Sequence, residues 1–146
     1  MTKFELQKRT KKFHVDVIKL CEHFPKNAAG FETAKQLIRS AGSVGANYRA
    51  ACRGKSKADF IYKIEVVLEE ADESLYWLEV SKDAELIKLS SIDELIKEAN
   101  ELVSIFNAAD ITAKRNEGKT NLKISKSEIV RCIYNVETEF LEKMQR

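Results

Sequence analysis

Proline occurs once, at position 25, and glycine only five times in 146 residues. These two residues punctuate helices and turns, so a chain this poor in them is made of long uninterrupted segments. There is no CxxC pair. The three cysteines, Cys21, Cys52 and Cys132, are odd in number and far apart, which points to neither zinc ligation nor redox chemistry. Each reads as a small apolar filler in a reducing cytoplasm. No apolar run approaches the roughly 18 residues of a membrane span. The basic N-terminus is not followed by the apolar core of a secretory signal.

Histidine is equally scarce. His14 and His23 are the only two, and Lys11 and Leu20 stand three residues before them. A di-iron bundle needs Glu-x-x-His units on facing helices, so that chemistry is excluded. The acidic run Glu65, Glu69, Glu70, Asp72 and Glu73 then reads as a solvated or salt-bridged face. Gly42-Ser-Val-Gly45 lacks the spacing and the preceding strand of a nucleophile elbow. Gly54-Lys55-Ser56 lacks the upstream glycine of a phosphate loop. No catalytic residue, metal ligand, cofactor or small-molecule substrate is assigned, and an enzyme is not expected.

What is present is helical periodicity. Leu6, Phe13, Val17, Leu20, Cys21 and Phe24 predict a first helix from about residue 3 to Phe24, stopped by Pro25. A second runs over about 31–53, with Thr33-Ala-Lys-Gln36 as a capping box and Leu37, Ile38, Ala41, Val44, Tyr48 and Cys52 as its stripe. Gly42 and Gly45 inside it each cost about 1 kcal/mol against alanine. Close approach of a neighbouring backbone is the expected reason for them. A third helix starts at a Ser56 cap and runs to about residue 84 on Phe60, Ile64, Val67, Leu68, Ala71, Leu75 and Leu78. A fourth starts at Ser91 (Ser91-Ile-Asp-Glu94) and ends near Lys114. Residues 115–124 are a polar linker, and Ile129, Ile133, Val136, Phe140 and Met144 predict a further helix within 125–146. No segment alternates with period two. The expected fold is all-α: an antiparallel up-down four-helix bundle over residues 1–114 with an additional C-terminal helix.

Charge is unevenly spread. Residues 1–60 hold 13 Lys/Arg and 5 Asp/Glu, whereas residues 61–112 hold 4 and 13. Either one part of the bundle presents a positive field, or these blocks pair across neighbouring helices. Lys8, Arg9, Lys11 and Lys12 on the first helix, and Arg49, Arg53, Lys55 and Lys57 around the turn into the third, are the candidate nucleic-acid contacts. Phosphate binding needs several cations converging on one surface. Arg49 and Arg53, one turn apart, can point the same way. The third helix also carries a second apolar stripe, Tyr62, Val66, Trp77 and Val80, roughly opposite the first. Another chain or the 125–146 helix is expected to cover it, which makes it a candidate oligomer interface.

Several of these residues fall in a pattern. Arg39-Ser40, Ser43-Val44 with Asn47, Ser56 with Phe60, and the run Glu70 to Ser74 resemble the signature of the 23S rRNA intervening-sequence proteins, a four-helix-bundle family, over about residues 5–114. The resemblance implies ring-like homopentamers and no catalytic activity. Relatives in diversity-generating retroelements are implied to bind nucleic acid through a basic surface. Those relatives are strongly basic, and this chain, at a net charge of +2, departs from them. Read as packing, Arg39, Asn47, Glu70 and Glu73 form a polar network in which Arg39 pairs with Glu70 or Glu73 and helps fix helix register. If that pair is buried, Arg39→Ala costs about 3 kcal/mol. Two functions follow as expectations. One is a homo-oligomeric scaffold associated with RNA or DNA; the other is a protein-interaction scaffold that binds no nucleic acid.

Overall fold

The structure, a computed structural model, describes residues 1–118, with side chains described to Arg115. The predicted 125–146 helix, Cys132 and most of the linker lie outside the described residues. Among the described residues there are four helices and no strand: α1 Lys3–Cys21, α2 Ala28–Ala51, α3 Lys57–Asp83 and α4 Ser91–Gly118. The fourth runs on into the stretch read as linker. None is long and apolar enough to cross a membrane.

Each start has a local cause. Thr2 caps α1: its hydroxyl accepts from the Glu5 N–H at 3.2 Å, and the Thr2 N–H donates back to Glu5 Oε2 at 2.5 Å. The box expected at Thr33 does not operate. Asn27 already caps α2, accepting from the Gly30 N–H at 2.9 Å, so Thr33 lies buried inside the helix. Ser56 caps α3 as expected, accepting from the Asp59 N–H at 3.1 Å.

One face of each helix makes the core. Phe13 and Val17 of α1, Leu37, Val44 and Tyr48 of α2, Ile64, Val67 and Leu78 of α3, and Leu102 and Phe106 of α4 are all fully buried. α1 packs on α2 and α4, and α3 packs on the same two. The seam between α2 and α3 is made of small residues. Ser40, Ala41, Ala71 and Ser74 are buried there, with Ser74 Oγ 2.9 Å from Ser40 Oγ and 2.7 Å from the Glu70 carbonyl. Leu68 and Leu75, expected in the core, are only half-buried at its edge.

The glycines divide sharply. A Cβ at Gly45 would sit 3.6 Å from the Thr10 backbone, an ordinary contact, so α1 does approach α2 closely there. Gly42 lies under the His14 ring, 2.9 Å from its Cε1 at the Cβ position. A Cβ at Gly30 would sit 1.9 Å from the Pro25 carbonyl oxygen, which only a backbone shift could relieve. Gly30→Ala is therefore expected to destabilise by about 1–3 kcal/mol, as overpacking does. Gly45→Ala fits and is expected to stabilise by up to about 1 kcal/mol through helix propensity. Urea melts of the two variants check this, and a shared sign would contradict it.

Candidate functional site

The basic run of α1 does not act as one patch. At 3.6 residues per turn, positions 8 to 12 spread around the helix. Arg9 turns toward α4, where its Nε donates to Glu98 Oε1 at 2.7 Å and its Nη2 donates to Glu98 Oε2 at 2.9 Å and Glu101 Oε2 at 2.5 Å. Those hydrogen bonds hold the guanidinium above its ordinary pKa despite partial burial. Lys12 pairs with Asp16 one turn on. Arg9 is thus committed within the bundle, whereas Lys12 is exposed and pairs only along its own helix.

Lys8 and Lys11 point the other way, toward α2, and meet Arg49 there. The three line a groove of about 520 Å³ between α1 and α2, together with Phe4, Gln7 and His14. Its floor is Gly42, Gly45 and Ala46, and no Asp or Glu among the described residues lines it. All three cations are exposed, as is Phe4 at 66%. His14 is half-buried on Gly42, and its Nε2 has no hydrogen-bond partner among the described residues. The absent side chains on α2 create the groove: the same small residues that admit α1 leave its outer edge open.

A second groove, of about 580 Å³, lies between α1 and α4. Arg9, Lys12 and Lys19 line it together with Asp16 of the same helix and Glu94 and Glu98 of α4, so three formal positive charges meet three negative ones. Arg53 and Lys55 stand exposed around the α2–α3 turn, and Lys57 is half-buried at the start of α3. None of the three lines the α1/α2 groove.

The second stripe of α3 is partly used within the bundle. Trp77 packs half-buried at the edge of the core, and its Nε1 donates to Glu73 Oε1 at 3.1 Å. Val66 and Val80 are half-buried, and Tyr62 is exposed. Tyr76, which the stripe did not include, is also exposed and stacks edge-on to Trp77 at 5.1 Å.

Arg39 pairs with both expected partners, Glu73 at 2.5 Å and Glu70 at 3.7 Å. The Arg39 side chain is 52% exposed, so the pair does not meet the buried condition. Water screens such a pair, and losing it costs little. Asn47 stands apart from this network: its Nδ2 donates to the Ser43 carbonyl within α2, at 3.0 Å.

Glu70 is the more deeply placed carboxylate. Its Oε2 is buried with no hydrogen-bond partner among the described residues. Burial pushes its pKa up; Arg39 opposes this, and Glu73 and Glu69 add to it. A carboxyl raised on folding holds its proton better in the folded chain. Its contribution is therefore favourable at low pH and is lost as pH rises through the raised value. Glu70→Gln is expected to gain stability relative to the parent between the ordinary carboxylate range and pH 7. A stability difference independent of pH would contradict this.

The Cys21 thiol is disfavoured as a thiolate by its placement. Cys21 and Cys52 pack half-buried against the core, and burial pushes the Cys21 thiol up to about 12. No cluster of His, Cys, Asp and Glu suited to a metal occurs among the described residues.

The profile of the 23S rRNA-intervening sequence protein family matches residues 2–108, most of the chain and nearly all of the described bundle. The chain belongs to that family. Among solved structures it is similar to a Bacteroides thetaiotaomicron protein of unknown function from the S23 ribosomal protein family. The two are 30% identical with a TM-score of 0.67, over 73% of this chain and 96% of that one. Comparison with curated proteins finds no match. Of the residues that carry the resemblance, Ser40 meets Ser74 and Arg39 meets Glu70 and Glu73 across α2 and α3, and Ser56 caps α3 four residues before buried Phe60.

Proposed function

We propose that this intervening-sequence family protein is a non-enzymatic, homo-oligomeric scaffold, an antiparallel up-down bundle, that binds nucleic acid through the α1/α2 groove. One observation carries it. Lys8, Lys11 and Arg49 converge from two helices on a groove that no carboxylate among the described residues lines, while Arg9, Lys12 and Arg39 are paired within the bundle. Phosphates are recognised by such convergence, and Arg and Lys both supply it.

The antiparallel arrangement is supported by ion pairs. Lys82 near the end of α3 meets Asp93 near the start of α4, and Lys114 near the end of α4 meets Glu65 near the start of α3. Assembly is supported by the exposed rings of Tyr62 and Tyr76 on α3; the family resemblance implies five copies. An oligomer would repeat the groove and multiply its field. The fifth helix within 125–146 and a cytoplasmic location complete the proposal.

A protein-interaction scaffold without nucleic-acid binding is the second reading, favoured by the same α3 face. Glu69, Asp72 and Glu79 are exposed beside those rings and would repel phosphate. Salt dependence separates the two. Three phosphate contacts predict a slope of about −2.1 to −2.7 in log affinity against log salt, or a loss of roughly 18- to 42-fold from 50 to 200 mM. Fluorescence anisotropy with labelled RNA and DNA reads this slope. Absence of binding at 50 mM would favour the protein-interaction scaffold.

A further inference from the structure

We infer that the α1/α2 groove takes single-stranded nucleic acid, with one unpaired base stacked on Phe4 and the neighbouring phosphates on Lys8, Lys11 and Arg49; this rests on the nucleic-acid proposal above.

Phe4 is 66% exposed, the most exposed of the large apolar side chains among the described residues, and it lies at the rim of the groove. The reciprocal Thr2–Glu5 hydrogen bonds fix the first turn of α1, so the ring is held on formed helix. Lys3 Nζ sits over one face of the ring, 5.1 Å from its centroid, so a base stacks on the opposite face or displaces this cation. Phe4, Lys8 and Lys11 follow one another at steps of four and three residues, along one edge of α1. At ~1.5 Å rise per residue they span about 10 Å, parallel to the groove. An aromatic face beside a line of cations is the arrangement that holds a strand with splayed bases.

A duplex hides its base faces in its own stack, and opening a step costs energy, so a single strand reaches Phe4 at lower cost. Charge alone would favour the duplex, because its phosphates are denser and each neutralised one releases more counterion. A preference for single strands therefore cannot come from the lysines and the arginine. It has to come from the ring.

The test is anisotropy with labelled 12-nucleotide oligo-dT, oligo-U and a DNA hairpin of similar charge closed by a non-nucleotide linker, using wild type, Phe4→Ala and Phe4→Trp. Wild type is expected to bind the single strands at least tenfold more tightly than the hairpin. Phe4→Ala is expected to lose roughly tenfold or more on single strands and nothing on the hairpin. Phe4→Trp is expected to keep the preference, which a merely structural role for Phe4 would not predict. The oligo-dT and oligo-U arms decide between DNA and RNA. Equal binding to hairpin and single strands, or an unaffected Phe4→Ala, would overturn the stacking inference and leave the groove proposal standing. No binding to any probe would overturn both.

Discussion

Phe106→Ala is expected to lower the unfolding free energy by about 3–5 kcal/mol, the cost of deleting a buried aromatic side chain. Phe106 of α4 is fully buried and meets the Tyr48 ring of α2 edge-on, with centroids 5.3 Å apart. The two rings meet between α2 and α4, helices whose main packing is against α1 and α3, so the void would open in the middle of the core. Domains of this size are stable by about 5–15 kcal/mol, so the loss is a large share of the whole. Urea melts followed by helical circular dichroism measure it. Phe31→Ala supplies the contrast: Phe31 is 62% exposed at the start of α2, and its removal is expected to cost within about 0.5 kcal/mol. Equal losses in the two variants would mean that the core is not where the four stripes place it.

Helix positions were legible because apolar residues recur with the helical period and breakers are few. Pro25 and Gly54 stand where chain direction changes, and the predicted ends fall within a few residues of the observed ones, save where α4 runs on to Gly118. Thr33 misled because a capping box is a local spelling. Asn27, just past the proline, had already started the helix. The buried serines were not legible. Ser74 and Ser81 satisfy their hydroxyls on carbonyls one turn back, Glu70 at 2.7 Å and Trp77 at 2.6 Å, and so behave as small core residues. Hydropathy counts them as polar.

The candidate site was half legible. Lys8, Lys11 and Arg49 were among the residues singled out, but so were Arg9 and Lys12. What separates them is not in the local sequence. Glu98 and Glu101 lie about 90 positions along the chain from Arg9, and only the packing of α1 on α4 brings them together. Phe4 had a signal that went unread: an aromatic residue at the same helical edge as Lys8 and Lys11, outside the apolar stripe.

The largest functional effect is expected from reversing the groove charges. At about 0.1 M salt, three phosphate contacts are worth roughly two to three decades of affinity through counterion release. Lys8→Glu, Lys11→Glu and Arg49→Glu together remove those contacts and repel the phosphates that made them. All three side chains are exposed, so the fold is expected to persist. A control must change net charge equally. Lys19, Lys26 and Lys88 are also exposed, at the end of α1 and in the loops before α2 and α4, and none lines the α1/α2 groove. The deciding measurement is oligonucleotide affinity of these two triple-glutamate variants at 0.1 M salt, beside wild type, with circular dichroism confirming helix content. A loss of about 100-fold or more in the groove variant, with the control within about threefold of wild type, is the predicted result. Equal losses in both variants would mean that binding follows net charge, and that the α1/α2 groove is not the site.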